Sequence, residues 1–172
     1  MVTLGEKIAS LANHGMKQRY YYDYIGVNSR LDTMQAAILE VKLKHLDEYN
    51  LARQKAATFY DAVFDANEAL EIPFRSSFSE HIFHQYTLLV KNGMREALKD
   101  FLASQGIPAM IYYPVGLHLQ TAYADLGYSK GDFPVTEKLC EEVLSLPMHT
   151  ELTDDELEFI SGKVLEFVNS QL

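Results

Sequence analysis

Three stretches of this sequence combine side chains that could bind or move charge. Gly26-Val27-Asn28-Ser29-Arg30 sets an amide, a hydroxyl and a guanidinium just ahead of a predicted helix start. Backbone N–H groups at such a helix end favour anions. Tyr112-Tyr113-Pro114-Val115-Gly116-Leu117-His118 places three hydrogen-bonding or titratable rings where a strand end turns into a loop. Leu144-Ser145-Leu146-Pro147-Met148-His149 ends a short extended run in a histidine. Turn chemistry and packing could account for each of them, because loops carry function only in some cases.

Other chemistries find less support. Neither a GxGxxG nor a Walker phosphate loop occurs, and the six histidines include no HExxH spacing. His81 and His84, three apart in or beside a strand, point to opposite faces, so no metal site is expected. Cys140 sits among Glu137, Glu141 and Glu142. Neighbouring carboxylates raise a thiol pKa, so the residue is read as structural and not as a nucleophile. Asp154, Asp155 and Glu156 open a helix, where the macrodipole favours them without any catalytic role.

The elements that must position these residues are legible from periodicity. A short helix is expected over Gly5–Asn13, followed by an irregular stretch in which Tyr20, Tyr21, Tyr22 and Tyr24 are too crowded to bury together. Ser29 and Asp32 suggest a capping box. Apolar residues then recur at helical intervals from Leu31 to about Phe64. The spacing predicts one helix of roughly 45–50 Å, with a kink near Asn50, where helix propensity is poor. Short strands are expected at Leu70–Ile72, Phe83–Lys91, Ile107–Tyr113 and Leu144–Leu146. Helices are expected over Met94–Gln105, Leu119–Leu126 and Pro134–Val143. Thr153 and Glu156 form a capping box that opens the last helix.

Helices and strands therefore mix without strict alternation. The fold class read from this is α+β, a small sheet with helices on one side, with the first forty residues fitting poorly into it. With 172 residues and 48% hydrophobic content the chain can build a packed core. The formal net charge of −9 disfavours nucleic acid and anionic membranes as partners. A single cysteine precludes an intrachain disulfide, and no apolar run reaches spanning length, so a cytoplasmic setting is expected.

Taken together, Asn13-His14-Gly15, Gly26-Val27-Asn28-Ser29-Arg30-Leu31-Asp32-Thr33-Met34-Gln35-Ala36-Ala37-Ile38-Leu39, His84-Gln85-Tyr86-Thr87, Tyr113-Pro114 with Leu117-His118-Leu119-Gln120, and Leu144–His149 resemble the C-terminal half of the DegT/DnrJ/EryC1/StrS family. These are fold-type I aminotransferases that use pyridoxal 5′-phosphate (PLP) to transfer an amino group to nucleotide-linked keto-sugars. The resemblance implies that residues 1–45 are the remnant of a large PLP-binding domain with the start of the bridging helix. It makes residues 46–172 the small C-terminal α/β domain. It also implies a homodimer whose site lies between subunits, an amino-acid donor such as glutamate, and a role in polysaccharide or glycoside synthesis. Asn28 maps to the family asparagine that reaches the PLP phosphate of the neighbouring subunit. Arg30 would hold phosphate or sugar-acid oxygens, or simply pair with a carboxylate. Tyr112, Tyr113 and His118 would face the sugar nucleotide.

Two departures qualify the resemblance. Tyr112 and Tyr22 stand where many members have histidine, and a tyrosine cannot be cationic near neutral pH. The family's Schiff-base lysine and the acid that pairs with the pyridine nitrogen would precede Met1, and no lysine here has a comparable context. By this reading the chain alone is inactive. The rival reading, of a different class, is a non-catalytic module that binds a separate N-terminal half or its own copies. Its contacts would be the Tyr20–Tyr24 surface and the apolar side of the long helix.

Overall fold

The computed structural model describes residues 3–171, which fall into two compact units that divide between Leu46 and Asp47.

The first unit opens with α1 (Leu4–Ala12), started by a capping box between Thr3 and Glu6. β1 (Met16–Gln18) and β2 (Tyr21–Tyr22) pair antiparallel, so the crowded tyrosine stretch is a small ribbon. Tyr20, Tyr21 and Tyr22 are exposed, as their number required. α2 (Thr33–Leu43) is capped by Asp32, whose carboxylate accepts from Gln35 N–H at 2.9 Å. Ser29, the expected cap, instead gives its backbone N–H to the Ala12 carbonyl.

The expected single long helix is two. α2 ends before Lys44, and α3 (Leu46–Phe64) begins after a two-residue interruption closed by a tightened His45 N–H bond to the Lys42 carbonyl. Lys44 keeps right-handed helical angles, so the apolar periodicity runs through the break and carries no sign of it. Asn50 lies inside α3, and the kink expected there is replaced by the break at Lys44–His45.

In the second unit β3 (Leu70–Glu71), β4 (Tyr86–Val90) and β5 (Val143–Leu146) form an antiparallel sheet with β4 in the centre. Tyr86, Leu88 and Val90 alternate into the core while Thr87 and Leu89 are half-buried, as the period of two requires. The core is closed by Ala56, Ala57, Tyr60 and Phe64 of α3, by Leu98 and Leu102 of α4 (Arg95–Ser104), and by Leu157, Ile160, Val164 and Val168 of α6 (Asp154–Ser170). Thr153 and Glu156 make the expected capping box on α6. α5 (Pro134–Glu142) leads directly into β5.

The strand expected over Ile107–Tyr113 shrinks to one bridge, Met110 to Ser145, with both backbone bonds made at 2.8–2.9 Å. Pro108 has no N–H to donate, and Tyr113 takes a left-handed φ of +58° before Pro114. The helix expected over Leu119–Leu126 is two 3₁₀ turns, Leu117–Leu119 and Thr121–Leu126, ended by the left-handed Gly127.

Candidate functional site

In the first unit the chain folds back on the end of α1. Residues 26–29 lie antiparallel to residues 11–14: Val27 N–H bonds Leu11 O, His14 N–H bonds Val27 O, and Ser29 N–H bonds Ala12 O, at 2.8–2.9 Å. The approach is possible only for glycine at two positions. A Cβ on Gly26 would lie 2.2 Å from Gly15 N, and one on Gly15 would lie 1.8 Å from Tyr24 O. This clasp sets Asn13 opposite Asn28.

Arg30 then holds both amides, with Nε donating to Asn28 Oδ1 at 2.9 Å and Nη1 to Asn13 Oδ1 at 3.1 Å. With its oxygen engaged, Asn28 is left to donate through its NH₂, beside the free edge of a guanidinium. Among the described residues no carboxylate pairs with Arg30, so its charge is locally uncompensated. Donors of this kind suit a phosphate dianion. The end of α2 contributes less than its position suggested, because Asp32 already takes one of its free N–H groups, that of Gln35.

A nucleophilic lysine would need a desolvated setting, and none of the described lysines is buried. Lys17, Lys55, Lys91, Lys138 and Lys163 are in ion pairs, and Lys7 lies over the Tyr24 ring. No group of three or more described His, Cys, Asp or Glu residues could hold a metal ion.

In the second unit Tyr112 and Tyr113 follow the Met110 bridge. Tyr113 is 81% exposed. Both border a pocket of about 250 Å³ with Gln85, Thr87, Thr136 and Ser145. Thr87 Oγ1 and Ser145 Oγ lie 2.8 Å apart on its sheet side. Hydroxyls, an amide and two phenols suit a hydroxylated ring better than an anion.

His118 is placed differently from its two neighbours in the motif. Its ring is buried, 4.8 Å from the Phe133 ring centroid, and Nε2 lies 2.9 Å from Glu137 Oε1. Glu137 also accepts the N–H groups of Gly131 and Phe133. The Gly131 N–H above all, helped by His118, holds its carboxyl below the usual carboxylate range. His118 thus ties the 3₁₀ turn to α5.

Other side chains of the His84–Thr87 and Leu144–His149 stretches serve the fold. Tyr86 donates its hydroxyl to Asp61 at 2.7 Å, and Asp61 also binds Arg75. Arg53 of α3 donates to the carbonyls of Phe83, His84 and Met148. Tyr60 hydroxyl reaches the Pro147 carbonyl, and His149 Nδ1 accepts Glu151 N–H. Sequence reasoning missed Asn13 as a partner of Arg30, Glu137 as the anchor of His118, and Gln85 and Thr136 in the Tyr112 pocket. Each pairing spans a chain separation that periodicity does not register.

Among the described residues no helix is long and apolar enough to cross a membrane. The model of the DegT/DnrJ/EryC1/StrS aminotransferase family matches residues 3–165. The chain is 42% identical over 166 residues to a pleiotropic regulatory protein of Geobacillus stearothermophilus, covering 95% of this chain and 44% of that protein. It is 40% identical over 158 residues to a UDP-N-acetyl-3-dehydro-alpha-D-glucosamine 3-aminotransferase of Acidithiobacillus ferrooxidans, covering 92% and 42%. The crystal structure of DesV from S. venezuelae superposes with a TM-score of 0.90 at 32% identity, covering 96% of this chain and 44% of that one. The chain thus spans less than half the length of the curated relatives it matches. With mixed helix and sheet that match these aminotransferases, the chain belongs to the DegT/DnrJ/EryC1/StrS aminotransferase family.

Proposed function

We propose that this chain is the C-terminal part of a cytoplasmic, PLP-dependent aminotransferase that moves an amino group from an amino-acid donor, such as glutamate, to a keto-sugar nucleotide for polysaccharide or glycoside synthesis. The Arg30 clamp is the observation that carries this reading, because it pre-orients the Asn28 amide and leaves donors free for a phosphate. PLP, when bound, supplies the electron sink that amino transfer requires. The residues of this chain would bind and orient. Asn28 NH₂ and the outer edge of Arg30 hold the cofactor phosphate, across a homodimer or from the complementary half of the enzyme. Tyr112 and Tyr113 bound the pocket for the sugar, and His118 acts by fixing the loop that carries them.

That none of the described lysines is buried supports the further reading that the cofactor lysine comes from elsewhere in the complete enzyme. Residues 1–45 would then be part of the large domain and residues 46–172 the small one.

The test is co-expression of this chain with the N-terminal portion of the Geobacillus relative, followed by assay of PLP retention and of amine transfer from glutamate to a keto-sugar nucleotide. PLP-dependent activity that neither polypeptide shows alone is the expected result. A stoichiometric lysine adduct after borohydride treatment of this chain with PLP would defeat the reading.

A second reading has its own observation. α2 buries no residue, and Met34, Ile38, Leu39 and Val41 are all exposed. A contiguous apolar surface of this kind marks an interface. A non-catalytic interaction module would form a monodisperse oligomer in light scattering and ignore the complementary half.

A further inference from the structure

Arg95 opens α4 and is buried, with 8% of its surface exposed. A guanidinium is disfavoured twice in that position. Burial strips its water, and the first turn of a helix presents the positive end of the macrodipole. Its Nε is buried and has no hydrogen-bond partner among the described residues. Glu96, which Nη2 meets at 2.7 Å, is itself 62% exposed and offsets the charge only in part. α4 by itself gains nothing from a cation here.

α5 does gain. Its closing bond runs from Val143 N–H to the Leu139 carbonyl, and the next carbonyl along, that of Cys140, accepts Arg95 Nη1. The last carbonyls of a helix need donors from outside, and a cation is favoured at that end. The helix so held is a wall of the pocket beside Tyr112 and Tyr113, which Thr136, Leu139 and Cys140 line. Glu137, on the same helix, holds His118 and through it the 3₁₀ turn that follows Tyr113. α5 then runs into β5, whose Ser145 hydroxyl meets Thr87 on the sheet side of the pocket. One donor on one carbonyl therefore fixes the helix on which both the pocket wall and the anchor of its loop are built.

We propose that Arg95 is a positioning residue for the Tyr112 pocket: through the Cys140 carbonyl it sets where α5 places Thr136, Leu139 and Cys140, and touches no ligand itself. Its effect on the reaction rests on the aminotransferase reading above, and its effect on the pocket wall does not.

The test has two readouts. Cys140 is the one cysteine of the chain and lines the pocket, so its rate of capture by iodoacetamide, followed by mass, reports the wall without any catalysis. Arg95→Met keeps much of the aliphatic stem and removes the donors. It should raise the capture rate about tenfold, the order expected for one hydrogen bond from a charged donor. Arg95→Lys should return the rate to near wild type, since a single ammonium suffices for a single carbonyl. Arg95→Gln, whose amide ends short of the Nη1 position, gives the same readout if Arg95→Met does not fold. In the co-expressed enzyme Arg95→Met should raise KM for the keto-sugar nucleotide about tenfold, with kcat, KM for glutamate and PLP retention little changed. Leu98→Val, in the same helix but in the core, is the stability control: it should lower the urea midpoint and leave both readouts alone. A capture rate unchanged in both Arg95→Met and Arg95→Gln, or raised equally by Leu98→Val, would overturn the proposal. So would a parallel loss of kcat, of both KM values and of PLP retention. If the co-expressed enzyme transfers no amine, the aminotransferase reading falls, and the capture rate still decides the role of Arg95.

Discussion

Arg30 Nε donates to Asn28 Oδ1 across 2.9 Å, and this one contact decides which end of the asparagine amide is available for a ligand. With the oxygen engaged, the NH₂ group is the outward face, a donor ready for an anion. Asn28→Asp keeps the acceptor and replaces the donor with a repelling carboxylate. In the co-expressed enzyme it should lower PLP affinity by at least tenfold, since a hydrogen bond to a charged group contributes about 1.5–3 kcal/mol. Equilibrium dialysis of PLP against wild type and variant measures this. Arg30→Lys tests the clamp itself, because an ammonium lacks the planar fork that bonds Asn28 and Asn13 together. It should weaken PLP binding less than Asn28→Asp does.

The Glu137 carboxyl is held below its ordinary value, chiefly by the Gly131 N–H, with help from His118 and Phe133 N–H. A carboxyl more acidic in the folded state stabilises the fold fully above its unfolded pKa, and that stability is lost as pH falls through the folded value. The loss should therefore begin below about pH 4.5, the ordinary carboxyl value. Glu137→Gln should be less stable than wild type at pH 7, and the gap should narrow in acid. Urea denaturation at pH 7 and near pH 3.5 checks the sign; a gap that widens in acid would contradict the assignment.

The sequence exposed what depends on local pattern. The Thr153–Glu156 capping box, the alternating Tyr86, Leu88 and Val90, and the stop at Gly127 all appear where composition put them. What it hid were pairings across distance. Ser29 and Asp32 both looked like parts of a helix start, and only the Ala12 carbonyl, which takes the Ser29 N–H, decides between them. The strand over Ile107–Tyr113 looked sound by residue type, but Pro108 and the left-handed Tyr113 reduce it to a single bridge. His118 looked like a ligand-facing ring in its motif, and its burial follows from Glu137, nineteen residues on. The Asn28–Arg30 segment stood out in the sequence as polar groups ahead of a helix start, whereas Asn13, which completes the clamp, did not.

Gly26 should tolerate no side chain. Its Cβ would strike Gly15 N at 2.2 Å and Leu11 O at 2.6 Å, both backbone atoms that cannot rotate away. Gly26→Ala should open the clasp between residues 11–14 and 26–29, at a cost of about 1–3 kcal/mol or more, the scale of overpacking. The damage should be local. Hydrogen exchange should rise at Val27, His14 and Ser29, whose amides close the clasp, while the β4 and β5 amides stay protected. Gly5→Ala is the control, since its Cβ would meet nothing within 4 Å.

Arg53 presents the opposite case, a charged side chain whose work is structural. Its Nη1 donates to the carbonyls of Phe83, His84 and Met148 at 3.1–3.2 Å, joining α3 to the approaches of β4 and to the exit of β5. Arg53→Met keeps most of the aliphatic stem and removes the donors. Carbonyls that lose their partner in a part-buried setting cost about 1–3 kcal/mol where water cannot reach them. The urea midpoint should fall accordingly with the slope unchanged, since the surface exposed on unfolding stays the same. Arg53→Lys should recover little, because one compact ammonium cannot reproduce the guanidinium geometry. An unchanged midpoint in Arg53→Met would mean that water takes over these carbonyls, and that the Phe83–His84 and Met148 segments are held by packing alone.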